Sequence, residues 1–142
     1  QATYRARPDL QAIVHTHSVH ATALACLRRG LPAFHYMVAV AGGDSVPLVP
    51  YFTFGSEALS QAVAQAMGHR DACLMANHGL VAGGATLARA MKVAQEIESL
   101  CEAYIKALAV GEPALLSAGE MDEVLLKFGN YGRSARADTG AG

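Results

Sequence analysis

Apolar positions along the chain fall into blocks whose spacing alternates between the period of a strand and that of a helix. From Leu10 to His17 the run LQAIVHTH carries β-branched Ile13 and Val14 soon after Pro8, which predicts a strand leaving a turn. A helix is expected next, over Val19 to Arg29, with Ala23, Leu24 and Leu27 at helical spacing and Gly30 and Pro32 to stop it. The stretch FHYMVAVAGGDSVPLVPYFTFG mixes a Gly-Gly-Asp turn with two prolines, so it reads as two short strands and a structured loop. Ser56 is a candidate N-cap for a helix through Met67, whose apolar stripe is Leu59, Val63 and Met67.

Ala72 to Ala76 reads as a buried strand, Asn77-His78-Gly79 as a break in it, and Leu80 to Ala82 as a short continuation. From Thr86, a second candidate N-cap, Leu87, Met91, Ala94, Ile97, Cys101, Tyr104 and Leu108 recur three and four apart until Gly111. That spacing predicts one long helix. A short helix over Glu120 to Phe128 completes the pattern, and the small and polar tail over 133–142 is expected to be disordered.

Composition changes this picture in one respect. The length of 142 residues suits a single domain, and 52% hydrophobic against 16% charged residues is apolar enough to suggest that part of the surface is covered by another subunit. With 11 Lys+Arg against 12 Asp+Glu, no electrostatic footprint for nucleic acid or anionic lipid is present. The longest apolar stretch, from Gly30 to Gly43, is interrupted by Pro32 and His35 and is too short to span a membrane. Cys26, Cys73 and Cys101 are odd in number and widely spaced, which fits buried reduced thiols in the cytoplasm better than a disulfide or zinc framework.

Six histidines carry the chemical signal. On a strand the period of two turns His15 and His17 to one face, close enough to share a cation. His78, in the break ANHGL, is the best third ligand for a facial set with an open position. Against this, an H-x-H pair recurs by chance, strand-end histidines bond backbone, and Asn-His-Gly is ordinary turn chemistry. His20 is expected to pack or to support its neighbours, His69 to be solvated, and His35 to be a core polar group or a proton donor.

Three separated blocks, HTHSVH, the FHYMVAVAGGDSVPLVPYFTFG segment, and NHGLVAGG ahead of the long helix, resemble the class II aldolase/adducin family, and within it the sugar-phosphate aldolases. The resemblance covers about Arg7 to Gly132, and a domain over 1–132 follows from it. It implies an α/β fold with a mainly antiparallel central sheet flanked by helices, assembled as a homotetramer with its sites between subunits. It further implies that His15, His17 and His78 hold a zinc ion. Tyr36 corresponds to a tyrosine that reaches the neighbouring subunit's site as a proton donor, and Phe54 and Tyr131 to aromatics of the aldehyde pocket. The implied reaction is cleavage of a ketose phosphate, such as L-fuculose 1-phosphate, to dihydroxyacetone phosphate and an aldehyde, with the metal in place of a Schiff-base lysine.

A 4-epimerase or dehydratase of the same fold is the alternative enzyme, and a metal-free adducin-like assembly module the alternative of another class. The family's phosphate-cradling Gly/Ser/Thr loops and its acid/base glutamate belong upstream of Gln1. Glu57 does not replace that glutamate, since the first turn of a helix favours a carboxylate in any case. The expectation is therefore a metal-bearing portion with its N-terminal part missing and its activity impaired.

Overall fold

The computed structural model describes residues 2–137, the side chains of residue 6 and of residues 130–137 excepted. A short helix α1 (Ala2–Ala6) leads into strand β1 (Ala12–Thr16) and helix α2 (Val19–Cys26). A 3₁₀ helix (Tyr36–Ala41), strand β2 (Leu48–Val49) and helix α3 (Glu57–Ala66) follow. Strands β3 (Ala72–Met75) and β4 (Gly79–Gly84) then precede the long helix α4 (Leu87–Val110) and helix α5 (Ala118–Ala137).

The four strands form one sheet in the order β1-β4-β3-β2, antiparallel at β1–β4 and β3–β4 and parallel at β2–β3. This is the α/β layered arrangement with a mainly antiparallel sheet that the sequence blocks imply. Alternation along each strand sends side chains to two cores. On one face Leu74 and Leu80 pack with Leu24 of α2 and with Val93, Ile97 and Tyr104 of α4. On the other, Cys73, Met75 and Val81 pack with Leu59, Val63 and Met67 around α3.

Local chemistry explains the helix starts. Ser56 Oγ accepts the Leu59 N–H and Thr86 Oγ1 accepts the Arg89 N–H, so both expected N-caps form. Arg7 ties the approach to β1 to the far side of the sheet: it pairs with Asp9 and Asp71 and donates to the Met67 and Arg70 carbonyls.

Several expectations are corrected. Helix α2 ends at Cys26, short of Arg29, because Arg28 takes a left-handed φ of 53°. The Arg29 N–H then reaches the Leu24 carbonyl at 3.2 Å and the Arg28 N–H the Ala25 carbonyl at 3.0 Å, a Schellman closure made without glycine. The 34–55 block holds a 3₁₀ helix, a single short strand and an isolated bridge between Leu31 and Val46, in place of two strands. Its prolines and the Gly42 turn at φ 79° limit ladder formation. Asn77-His78-Gly79 does not interrupt one strand; it reverses the chain between two antiparallel ones. Leu87 and Met91 are exposed, and Ala90 and Val93 take the inward positions of the first turns of α4.

Cys73 and Cys101 are buried as expected, but Cys26, at the last turn of α2, is exposed. The final helix runs from Ala118 to Ala137, past the expected end at Phe128 and into the segment expected to be a disordered tail. Residues 138–142 lie outside the described residues.

Ile97 has no exposed surface and lies where α4 covers the sheet. Ile97→Ala should therefore lower the unfolding free energy by about 2–5 kcal/mol in urea titrations monitored by circular dichroism.

Candidate metal centre

His15 belongs to β1, and His17 lies one residue past its end on the same face. The ladder pairs His15 with Val81 and Thr16 with Leu80, so the end of β1 lies beside the start of β4 and the turn before it. That turn carries His78. The three ring centroids form a near-equilateral triangle, 4.8 Å from His15 to His17, 4.9 Å from His15 to His78 and 5.1 Å from His17 to His78.

One nitrogen of each ring can serve as a ligand atom, and these three nitrogens all lie within 4.8 Å of one another. Three imidazoles bound to one zinc at 2.0–2.1 Å in tetrahedral geometry stand about 3.3 Å apart, nitrogen to nitrogen. The observed set, with 3.0 Å between His15 Nε2 and His17 Nε2, brackets that separation. The donors also suit the ion, since neutral imidazole is a preferred zinc ligand.

Backbone contacts fix the protonation pattern. His15 Nδ1 lies 3.0 Å from the Leu80 carbonyl, which can only accept, so Nδ1 carries the proton and Nε2 presents its lone pair to the centre. His17 Nε2–H then donates to His15 Nε2, and a cation would replace that shared proton. Burial, with the neighbouring His15 and His17, pulls the His78 pKa below its usual value and so favours the neutral, ligating form.

Two glycine-free constraints and one glycine shape the turn. Asn77 adopts a φ of 55°, a conformation asparagine tolerates, and its N–H donates to the Ala25 carbonyl at the end of α2. Arg28 Nε donates to Asn77 Oδ1 at 3.2 Å. At Gly79 an added Cβ would fall 2.4 Å from the Thr16 carbonyl oxygen and 3.1 Å from His17 Cδ2, so only glycine lets the two ligand-bearing segments approach.

Glu98 of α4 makes a contact beside the centre that sequence reasoning missed. Its Oε1 accepts the His20 N–H and lies 2.8 Å from His20 Nδ1, and its Oε2 accepts the Ala21 N–H at 2.8 Å. These are the N–H groups that an N-cap side chain ordinarily satisfies, and Ser18, at the N-cap, makes no such bond. Its partners are 77 and 78 residues away in the chain, so no local pattern marks it. His20, expected to pack or support, is part of this contact.

Tyr36 does not join the triad of its own chain. It is 51% exposed and stacks on His35, whose Nδ1 accepts the Met37 N–H. It lines a cleft of about 940 Å³ that includes Arg7, Arg89 and Phe128 and none of the three histidines. Phe54 is 81% exposed on the segment between β2 and α3. The side chain of Tyr131 lies outside the described residues.

Fold and centre together define a layered α/β domain in which an antiparallel ladder assembles a three-histidine metal-type site. Residues 1–105 match the class II aldolase and adducin N-terminal domain, and the chain belongs to that family. It is 51% identical over 130 residues to a 5-methylthioribulose-1-phosphate/5-deoxyribulose-1-phosphate aldolase of Rhodospirillum rubrum, covering 92% of this chain and 59% of that protein. Identity to an L-fuculose phosphate aldolase of Escherichia coli is 47% over 132 residues, covering 92% and 61% respectively. The solved structure of an L-fuculose 1-phosphate aldolase superposes with a TM-score of 0.85 at 44% identity, over 89% of this chain and 59% of that one. The chain thus spans about three-fifths of the length of these relatives.

Glu98 gives the protein a measurable acid dependence. Burial raises its pKa, but hydrogen bonds from the His20 and Ala21 N–H groups and the Ser18 and His20 side chains outweigh this and hold it below the usual 4.5. A carboxylate depressed in the folded state contributes stability that is complete above its unfolded value and lost as pH falls through the folded one. In chelator, the stability difference between wild type and Glu98→Gln should be present at neutral pH and shrink as the pH drops below 4.5. Urea unfolding across that range measures it.

Proposed function

We propose that this domain serves a zinc-dependent aldolase that cleaves a ketose 1-phosphate to dihydroxyacetone phosphate and an aldehyde. The observation that carries the proposal is the convergence of His15, His17 and His78 on one point beside a solvent-open face. The substrate class is supported by the relatives, whose names share a ketose phosphate, a 1-phosphate in two of the three, and differ beyond it.

His15, His17 and His78 would hold the ion. When bound, a zinc ion supplies Lewis acidity toward the ketone oxygen and the adjacent hydroxyl, without the need for an imine-forming lysine. That suits a chain whose Lys92, Lys106 and Lys127 all lie on α4 and α5, away from the triad. His15 and His17 are exposed, which leaves the open side to substrate.

Tyr36 acts across a subunit boundary, donating its phenolic proton to the aldehyde oxygen at a neighbour's centre. Its exposure and its separate cleft suit a residue that works in trans in a homotetramer. The same reading assigns Phe54 to the aldehyde side; Tyr131 shares that assignment by its place in the sequence, its side chain lying outside the described residues. A cytoplasmic setting suits the thiols: burial pushes Cys73 up to about 12, and burial with nearby Glu98 does the same for Cys101, so both remain protonated. No helix among the described residues is long and apolar enough to cross a membrane.

Elemental analysis should find about one zinc per chain, lost when His15, His17 and His78 are replaced together by Ala. Zinc-free wild type prepared with the metal supplied would overturn the proposal. Incubation with L-fuculose 1-phosphate and with 5-deoxyribulose 1-phosphate, followed by enzymatic detection of dihydroxyacetone phosphate, tests the reaction; pentulose phosphates interconverted without aldehyde release would favour an epimerase. Tyr36→Phe should leave the zinc content unchanged and lower kcat by about 10²–10⁴-fold.

A further inference from the structure

Helix α2 touches the metal centre at both ends. Its first residue follows His17 by two positions, and its last turn offers the Ala25 carbonyl to the Asn77 N–H, one residue before His78. Whatever fixes α2 therefore fixes the spacing of two of the three ligands. The fixing contact comes from α4. Glu98 receives the His20 and Ala21 N–H groups and the His20 ring at 2.8 Å each. Just before the helix, Thr16 Oγ1 donates to Ser18 Oγ at 3.2 Å. The carboxylate thus grips the first turn of α2 three residues past His17, from the middle of the long helix α4.

The arrangement exceeds what capping a helix requires. A serine at the N-cap can satisfy one of these N–H groups by itself. Here the Ser18 side chain makes no cap bond, and the carboxylate takes over the cap from another element. The cost in local independence is matched by a gain in registration, because α2 becomes locked to α4 at the position that sets His17.

We propose that Glu98 is a positioning residue for the metal centre, holding Thr16–Ala21 so that His17, and through Ala25 and Asn77 also His78, stand at ligand distance before the ion arrives. The inference rests on the metal reading of the triad. Groups that orient ligands from outside the coordination sphere commonly change metal affinity by about 10–100-fold, and Glu98, which touches no ligand and acts through the backbone of α2, belongs at the lower end, about 10-fold.

The test uses the whole chain and the zinc ion alone, with affinity read by competition against a chromophoric chelator. Wild type should bind one zinc, and Glu98→Gln should bind it about 10-fold more weakly. The visible spectrum of the cobalt-loaded variant should also change, since coordination geometry is altered. Ala103→Gly, which weakens α4 at an exposed position outside the network, should keep wild-type affinity within twofold. If Glu98→Gln does not fold, Glu98→Asp decides instead: it keeps the charge but withdraws the carboxylate from the His20 and Ala21 N–H groups and should weaken zinc binding severalfold. Zinc affinity unchanged in the folded Glu98→Gln variant, or in Glu98→Asp where that variant decides, overturns the proposal, as does an equal loss in Ala103→Gly. Wild type that binds no zinc refutes the metal reading itself, which keeps the two failures distinct.

Discussion

Thr16 lies opposite Leu80 in the β1–β4 ladder, and just beyond this pair the two backbones close to a separation that leaves room for hydrogen alone at residue 79. That approach brings the end of one strand against the turn that begins another, so imidazoles 61 to 63 residues apart in sequence meet with their ligand nitrogens within 4.8 Å. A side chain on Gly79 would strike backbone, which cannot swing aside as a flexible side chain can. The same ladder supplies the Leu80 carbonyl that sets the tautomer of His15. Position and protonation thus share one cause.

The sheet can hold that geometry because it is packed on both faces. Helix α4 covers β4 and β1 through Val93, Ile97 and their neighbours, and α3 covers the opposite side through Leu59, Val63 and Met67. The triad lies at the end of the ladder, beyond this cover, which is why its rings are exposed or half-exposed while the strands behind them are buried. Glu98 links the two regions, with its carboxylate spent on the first turn of α2 and its helix anchored in the core. A rigid scaffold with an open rim is the arrangement that a site needing both ligand precision and substrate access requires.

Tyr36 belongs to a different surface from the histidines, although both come from blocks that resemble the same enzymes. Within one chain it faces a cleft shared with Arg89 and Phe128. Tyr36, Tyr51 and Phe54 are all exposed, in a chain of high apolar content. The proposed action of Tyr36 at a neighbour's centre would couple oligomerisation to chemistry, since neither half would suffice.

Long, regular elements were legible in the sequence. Ser56 and Thr86 begin their helices with the expected hydrogen bonds, Leu59, Val63 and Met67 form the buried stripe of α3, and the spacing of α4 gives its length. These follow from contacts within a few residues, which a periodic pattern records. His15 and His17 are likewise a local fact, two side chains on one face of a strand. The turn at 77–79 was visible, but its sense was not, because reversal and interruption of a strand use the same residues and only the partner strand distinguishes them. The end of α2 at Arg28, the inward choice of Ala90 and Val93 over Leu87 and Met91, and above all the role of Glu98 depend on what lies opposite in space. By itself, then, the sequence determined the ligand types and the regular elements that carry them. Tertiary structure alone decided that three histidines meet and what holds them there, because that convergence is a property of strand register and helix packing.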